Sequence, residues 1–125
     1  MPIYICVDFD GTIVKHEYPK IGGDIPEAIK TLKDLVDKGH KLILFTMRSG
    51  KELDEAVNYL VDKGVDLHGI NMNPGQRKWT SSPKAFANMY IDDMALGCPL
   101  VREKDARPYV DWKEVRKKLE DMWLL

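Results

Sequence analysis

Apolar and polar residues follow one another along the chain in blocks that predict strands and helices in alternation. Residues 3–7 form a continuous apolar run rich in β-branched residues, which predicts a strand covered on both faces. Residues 41–45 predict a second strand, and residues 67–72 and 89–91 predict two weaker strands. Alternating strands and helices imply right-handed βαβ units. The pattern therefore predicts an α/β fold with a mostly parallel central sheet and helices on both faces.

Apolar residues at helical spacing predict the helices that connect and follow these strands. The first helix is expected to have Asp24 at its N-cap, with a capping box completed by Glu27. The second is expected over residues 51–63, where one face is apolar. A short helix is expected to begin at Ser81, before a proline, and a final helix at a capping box that starts with Asp111.

Composition and charge exclude several classes of protein. The chain has 125 residues and a net charge of −1, without repeats or linkers, so we expect a single domain over residues 1–125. Acidic and basic residues are interspersed, which argues against nucleic-acid or membrane binding. No signal peptide is recognisable, no apolar run is long enough to cross a bilayer, and two cysteines are too few for a disulfide framework. These features favour a cytoplasmic protein.

Chemically reactive side chains lie where three of the predicted strands end. Asp8 and Asp10 follow the first strand, Thr46 follows the second, and the pair Asp92-Asp93 follows the last. Ligands of open α/β sheets bind in the crevice at the carboxyl ends of the strands. The pattern therefore predicts a site that combines carboxylates, which suit a hard divalent cation, with a hydroxyl group that can donate a hydrogen bond.

The order of these motifs resembles that of the haloacid dehalogenase superfamily. Asp8-Phe9-Asp10-Gly11-Thr12 after an apolar strand resembles the first motif of that family, and Thr46 resembles its second. Lys84 resembles the third motif, and Tyr90-Ile91-Asp92-Asp93 resembles the fourth, so that the resemblance covers about residues 3–95. It implies a Rossmann-like three-layer sandwich and a magnesium-dependent phosphatase that hydrolyses a phosphomonoester.

The resemblance also implies which residues perform the chemistry and bind the metal. Asp8 would attack phosphorus and form an aspartyl-phosphate, while Asp10 would act as general acid and then as general base. Mg²⁺ would be bound by Asp8, by the backbone carbonyl of Asp10 and by Asp92. Asp93 would contact the ion through water or orient its other ligands.

Four residues are expected to bind the substrate phosphate. Thr46 and the backbone N–H groups next to it, including that of Met47, would hold the phosphoryl oxygens, and Lys84 would offset charge in the transition state. Lys78 is an alternative to Lys84, which we prefer because its distance from the acidic strand is similar to that in the family. Arg48 would either bind phosphate through two hydrogen bonds or lie in solvent at the surface.

Many members of this family carry a cap domain, for which this chain has no room. Only about a dozen residues separate Thr12 from the first helix, and the stretch from Gly64 to Lys84 is likewise too short for a folded insert. We therefore expect a capless member with an open site, or one covered by a neighbouring subunit in a homo-oligomer. The class of phosphorylated substrate stays open. A receiver-like phosphoacceptor module and a non-catalytic domain with the same acidic pocket are the alternative interpretations.

Overall fold

Four parallel strands form the central sheet of the computed structural model, which describes residues 1–125. The strands are β1 (Tyr4–Val7), β2 (Lys41–Leu44), β3 (Gly69–Ile70) and β4 (Met89–Ile91). Their order across the sheet is β3-β2-β1-β4, so β1 lies between β2 and β4. Val7 of β1 pairs with Ile91 of β4, so the acidic residues that follow these two positions begin side by side.

Helices flank this sheet, and the α/β fold class predicted from the sequence is confirmed as a Rossmann-like layered arrangement. The helices are α1 (Ala28–Asp37), α2 (Gly50–Asp62) and α3 (Trp112–Asp121), with a 3-10 helix at Gln76–Lys78. The connection from β1 to α1 contains turns and isolated bridges but no inserted domain. None of the helices is long and apolar enough to span a membrane.

The two faces of the sheet have separate apolar clusters, as the alternation of side chains along a strand requires. Val7 and Leu44 belong to a core of 20 buried residues that also includes residues of α1, α2 and α3. Cys6 and Ile43, which point the other way, pack with Ala85 in a cluster of 3 buried residues. The second face is therefore covered mainly by the segment between β3 and β4.

The first helix begins later than the sequence predicted, and the predicted capping box is wrong. Glu27 has a left-handed φ of 70°, its side chain makes no capping hydrogen bond, and α1 begins at Ala28. The carboxylate of Asp24 instead accepts a hydrogen bond from the Tyr59 hydroxyl and pairs with Lys63 Nζ at 3.3 Å. Tertiary partners on α2 thus outcompete the local cap.

The short helix predicted at Ser81 is absent, and residues 80–88 form an irregular loop. The buried side chain of Gln76 holds this loop in place. Its Nε2 donates to the carbonyl oxygen of Lys84 at 2.7 Å, and its Oε1 accepts from the N–H of Phe86 at 2.7 Å. These bonds satisfy backbone groups that a helix would satisfy internally, so the loop is stable without helical structure.

A small hairpin that the hydrophobic pattern did not predict lies between β4 and α3. Its strands, β5 (Leu100–Val101) and β6 (Tyr109–Val110), are antiparallel and only two residues long. Runs this short are below the length that periodicity can reveal. The cap of α3 is confirmed, since the side chain of Asp111 accepts a hydrogen bond from the N–H of Glu114 at 3.4 Å.

Candidate active site

Three aspartates meet at the carboxyl edge of the sheet. Asp8 follows β1, and Asp92 and Asp93 follow β4. One carboxylate oxygen of each lies within 4.8 Å of those of the other two. Because β1 and β4 are neighbouring strands in register, the early and late acidic motifs come together although more than half the chain separates them.

The acidic cluster raises the pKa of two of its members. Burial, together with the negative charge of Asp92, raises the pKa of Asp8 from 3.8 to about 8. Hydrogen bonds from the backbone of Phe9 and from the Thr12 hydroxyl offset only part of this effect. Burial is also the main reason that the pKa of Asp92 is raised. Carboxylates that resist ionisation in this way are stabilised when a cation binds between them.

The donor atoms fit an oxygen-ligated divalent cation. Asp93 is the most buried aspartate of the cluster, and its Oδ2 lies 2.8 Å from Nε2 of His16. Its Oδ1 is buried without any hydrogen-bond partner. An unpartnered carboxylate oxygen is costly in the protein interior, and a shared cation would satisfy it together with Asp8 and Asp92.

Thr12 links the two acidic motifs to each other. Its fully buried hydroxyl donates to Asp8 Oδ2 at 3.0 Å and accepts from the N–H of Asp93 at 3.1 Å. Its carbonyl oxygen accepts a hydrogen bond from Nε1 of Trp112, at the start of α3, at 2.6 Å. One residue therefore orients Asp8, positions the end of β4 and attaches the last helix.

Gly11 permits the chain to turn beside the cluster, and we expect Gly11→Ala to damage both fold and site. Gly11 has a φ of +80°, and a Cβ there would collide with His16 Nε2 and with a carboxylate oxygen of Asp93. The substitution should lower the free energy of unfolding by about 1–3 kcal/mol, as measured by urea unfolding. Gly23→Ala is the control, since nothing lies within 4 Å of its added Cβ. Equal stability of the two variants would contradict this role of Gly11.

A cavity of about 220 Å³ opens beside the acidic cluster, and Thr46 forms part of its wall. The hydroxyl oxygen of Thr46 accepts a hydrogen bond from the N–H of Arg48 at 3.1 Å, which leaves the hydroxyl proton free to donate. The Met47 side chain is 98% exposed, and its N–H donates none of the backbone hydrogen bonds of the turns and loops. The lining residues are Asp8, Phe45, Thr46, Met47, Asn71 and Asp92.

Asn71 is a member of this cavity that the sequence pattern does not single out. Its Oδ1 accepts a hydrogen bond from the N–H of Thr46 at 2.7 Å, so it fixes the loop after β2. It follows β3 in a left-handed conformation with a φ of 56°, which Asn tolerates better than most residues. The available signal was an asparagine inside the predicted strand at residues 67–72, because asparagine is uncommon within strands and common where they end.

Arg48 is buried and binds Asp10, which neither interpretation of the sequence anticipated. Its Nε and Nη2 donate to the two carboxylate oxygens of Asp10, each at 2.8 Å. Its remaining N–H groups donate to the carbonyl oxygens of Pro19, Lys20 and Glu52. All five guanidinium N–H groups thus have protein acceptors, and none remains for a phosphate in this conformation. The hydrogen bonds to Asp10 raise the pKa of Arg48 further.

The same contact constrains Asp10, the predicted general acid. Both of its carboxylate oxygens accept from Arg48, so Asp10 can exchange a proton with a substrate only through a second lone pair of one of these oxygens or by breaking one of the two bonds. The carbonyl oxygen of Asp10 accepts none of the backbone hydrogen bonds of the turns and loops. It therefore has the free lone pairs that a metal ligand requires.

Lys84 lies near the cavity but does not line it. Its Nζ is 5.3 Å from the centroid of the Tyr90 ring, and that ring packs against Phe45, with ring centroids 6.2 Å apart. Phe45 is part of the cavity wall, so Lys84 is connected to the site through two aromatic side chains. Lys78, at the end of the 3-10 helix, is exposed and makes no ion pair or cation–π contact.

The fold and the site define a Rossmann-like α/β protein with an acidic cluster at the carboxyl end of its parallel sheet. Its structure is similar to that of a conserved protein from Bacteroides thetaiotaomicron, with a TM-score of 0.80 and 36% sequence identity. The similarity covers 98% of this chain and 93% of that chain, and the chain belongs to the same family as that protein. No protein-family model matches the chain, and no curated protein does.

Proposed function

We propose that this protein is a magnesium-dependent phosphatase of the haloacid dehalogenase type, acting on a phosphomonoester in the cytoplasm. The observation that carries the proposal is the cluster of Asp8, Asp92 and Asp93 beside a cavity lined by the Thr46 hydroxyl. Phosphate esters repel anionic nucleophiles, and catalysis of their hydrolysis depends on positioning and on positive charge. A pocket that pairs a cation site with hydrogen-bond donors meets both requirements.

The metal would be held by the carboxylates of Asp8, Asp92 and Asp93 and by the carbonyl oxygen of Asp10. All three carboxylates are near enough to share one ion, and Asp93 has a buried oxygen that needs a partner. Asp93 therefore qualifies as a direct ligand alongside Asp92, rather than only as an orienting residue. Magnesium, when bound, neutralises the charge of the phosphoryl oxygens and of the nucleophile.

The residues of the chain then have distinct tasks in the reaction. Asp8 attacks phosphorus through the carboxylate oxygen that Thr12 does not hold, and forms an aspartyl-phosphate as the alcohol leaves. The hydroxyl of Thr46 and the N–H of Met47 donate to the phosphoryl oxygens. Lys84 reaches the same oxygens by leaving the face of the Tyr90 ring. Water next attacks phosphorus, which releases phosphate and regenerates Asp8.

Asp10 is the residue proposed to transfer protons. The effect of Asp10→Asn should therefore depend on how strongly the leaving group needs a proton. Alkoxide leaving groups need a proton, whereas nitrophenolate needs almost none. With alkyl phosphates we expect kcat/KM, which reports formation of the aspartyl-phosphate, to fall by about 10²–10⁴-fold, and with p-nitrophenyl phosphate by much less. Equal losses with both kinds of substrate would show that Asp10 acts only by pairing with Arg48.

The function is tested most simply by a phosphatase screen of the purified protein. A panel of phosphorylated metabolites and an aryl phosphate are assayed with Mg²⁺ and with EDTA, and we expect hydrolysis only with Mg²⁺. Failure to hydrolyse any of them would favour the non-catalytic alternative. An aspartyl-phosphate on Asp8 that persists for minutes, rather than turning over, would favour the receiver-like alternative.

Metal binding should stabilise the folded protein, and the effect should depend on pH. An ion present at about 100 times its Kd contributes roughly 2.7 kcal/mol, which raises Tm. Without metal, the pKa of Asp8 is about 8 in the folded state, above its value of 3.8 when unfolded. The protonated form of Asp8 therefore makes a contribution to the free energy of unfolding that is present at low pH and is lost as the pH rises through about 8.

The measurement is thermal unfolding with EDTA and with Mg²⁺ over this range of pH. In EDTA, Tm should fall between about pH 5 and pH 8, and Asp8→Asn should remove that component of the fall. Asp54→Asn, at an exposed position on α2, is the control and should behave as the parent protein. A parent protein with a Tm that does not respond to Mg²⁺ would contradict the metal site.

A further inference from the structure

A second cavity, of about 460 Å³, borders the acidic cluster at Asp93. Its walls come from Asp93, from His16 in the β1–α1 connection, from the loop over residues 94–98 and from the β5–β6 hairpin. The hairpin contributes two cationic side chains, Arg102 and Arg107. The proposed reaction uses neither of them.

Both arginines face this cavity without an acidic partner. Arg102 directly follows β5, and Arg107 lies two residues before β6, so the antiparallel pairing brings them to the same end of the hairpin. Neither is a member of any ion pair in the structure. Glu103 and Asp105 are close by in sequence but form no ion pair with either arginine, and Glu103 instead raises the pKa of the Tyr109 hydroxyl.

Two unpaired guanidinium groups in one cavity suit an oxyanion. Each guanidinium presents a planar fork of N–H donors, which matches phosphate or carboxylate oxygens in pairs. Arg102 and Arg107 lie exposed at the edge of the cavity, whereas the more buried Arg48 and Arg116 are both paired with aspartates. The carboxylate of Asp93 is directed to His16 and to the acidic cluster, so it does not supply the missing partner.

We propose that this cavity binds a second anionic group of the substrate, so that the substrate is a phosphomonoester with a distal phosphate or carboxylate. This inference rests on the proposed phosphatase function. The two cavities adjoin through the acidic cluster, because Asp93 lines one cavity, Asp8 and Asp92 line the other, and oxygens of all three are within 4.8 Å. We infer that a single small molecule spans this cluster and places one group in each cavity.

The lack of a cap makes such a contact important for selectivity. In this chain no inserted domain covers the site, so discrimination between substrates falls to side chains around it. Of the charged side chains that line the two cavities, only Arg102 and Arg107 are cationic irrespective of pH. They are thus the residues able to select a doubly anionic substrate over one with a neutral tail.

The experiment compares straight-chain diols phosphorylated at one end with the same diols phosphorylated at both ends. We expect the parent protein to prefer the bisphosphates at one chain length, by about tenfold or more in kcat/KM. The double variant Arg102→Gln/Arg107→Gln should lose that preference and keep its activity on the monophosphates. Lys104→Gln is the matched control, because it removes one positive charge from the same hairpin but does not line the cavity.

A binding measurement separates this inference from the proposed function. The Asp8→Asn variant, which should not turn over, is titrated with each bisphosphate of the series and with the matching monophosphate, with and without the two arginine substitutions. A preference for the bisphosphate that depends on the two arginines would support the subsite. If no variant hydrolysed any substrate, that result would still stand, and only the proposed phosphatase function would be contradicted. Equal binding of both ligands, or an equal loss in the Lys104→Gln variant, would overturn the subsite.

Discussion

Asp8→Asn should abolish phosphatase activity while making the metal-free protein more stable. The amide is a poor nucleophile and a weaker cation ligand, so we expect kcat to fall by roughly 10⁴-fold or more. The gain in stability follows from the raised pKa of Asp8, which shows that its negative charge is unfavourable in the folded protein. The neutral amide avoids the cost of burying that charge and removes the repulsion from Asp92. A purely structural aspartate would show neither the loss of activity nor this gain.

The two effects are measured on the same preparation. Activity is assayed with the best substrate of the screen in Mg²⁺, and Tm is measured in EDTA at about pH 9, above the pKa of Asp8, where its carboxyl group is mostly ionised. Asp54→Asn should change neither quantity, because its side chain is exposed on α2 and far in sequence from the cluster. Near-normal turnover by Asp8→Asn would show that another group attacks phosphorus.

Arg48→Met should be among the most destabilising single substitutions in this protein. It removes hydrogen bonds to three backbone carbonyls and leaves the carboxylate of Asp10 without its cation. The side chain of Arg48 is 1% exposed and that of Asp10 17% exposed, so water compensates for little of the loss. Removing one member of a buried ion pair of this kind lowers the free energy of unfolding by about 3 kcal/mol or more.

A double-mutant cycle with Asp10→Asn isolates the ion pair from the other contacts. Arg48→Met/Asp10→Asn should be less destabilised than the sum of the single variants, with a coupling of about 1–3 kcal/mol in urea unfolding. Arg116→Met is the control, since its pair with Asp34 is much more exposed and should cost less. Additive single effects, or an Arg48→Met variant no less stable than Arg116→Met, would contradict this assignment.

The central part of the fold followed from local patterns because its strands are apolar runs separated by amphipathic helices. The run at residues 89–91 coincides with β4, and the cap at Asp111 begins α3 as predicted. The predictions that failed concern segments in which tertiary hydrogen bonds override the local structural preference of the sequence. Asp24 bonds to α2 instead of capping α1, and Gln76 holds residues 80–88 in an irregular loop.

Some features of the candidate site could be predicted from the order of the motifs along the sequence, and others are visible only in the contacts of the folded protein. Motif order identified Asp8, Asp92 and Thr46, since residues at the ends of adjacent parallel strands necessarily lie near one another. The partner of Arg48 could not be predicted, because Asp10 lies 38 positions away along the chain and the pairing depends on how the β1–α1 connection folds over α2. The arginine cavity likewise depends on a hairpin with strands too short to detect.

The central claim is that Asp8, Asp92 and Asp93 share one divalent ion. Anomalous diffraction from crystals of the protein prepared with Mn²⁺, which prefers the same oxygen ligands as Mg²⁺, locates such an ion directly. We expect one strong peak among these three carboxylates, within coordination distance of the Asp10 carbonyl oxygen. A well-ordered cluster with no peak, or a peak bound only elsewhere on the protein, would contradict the account.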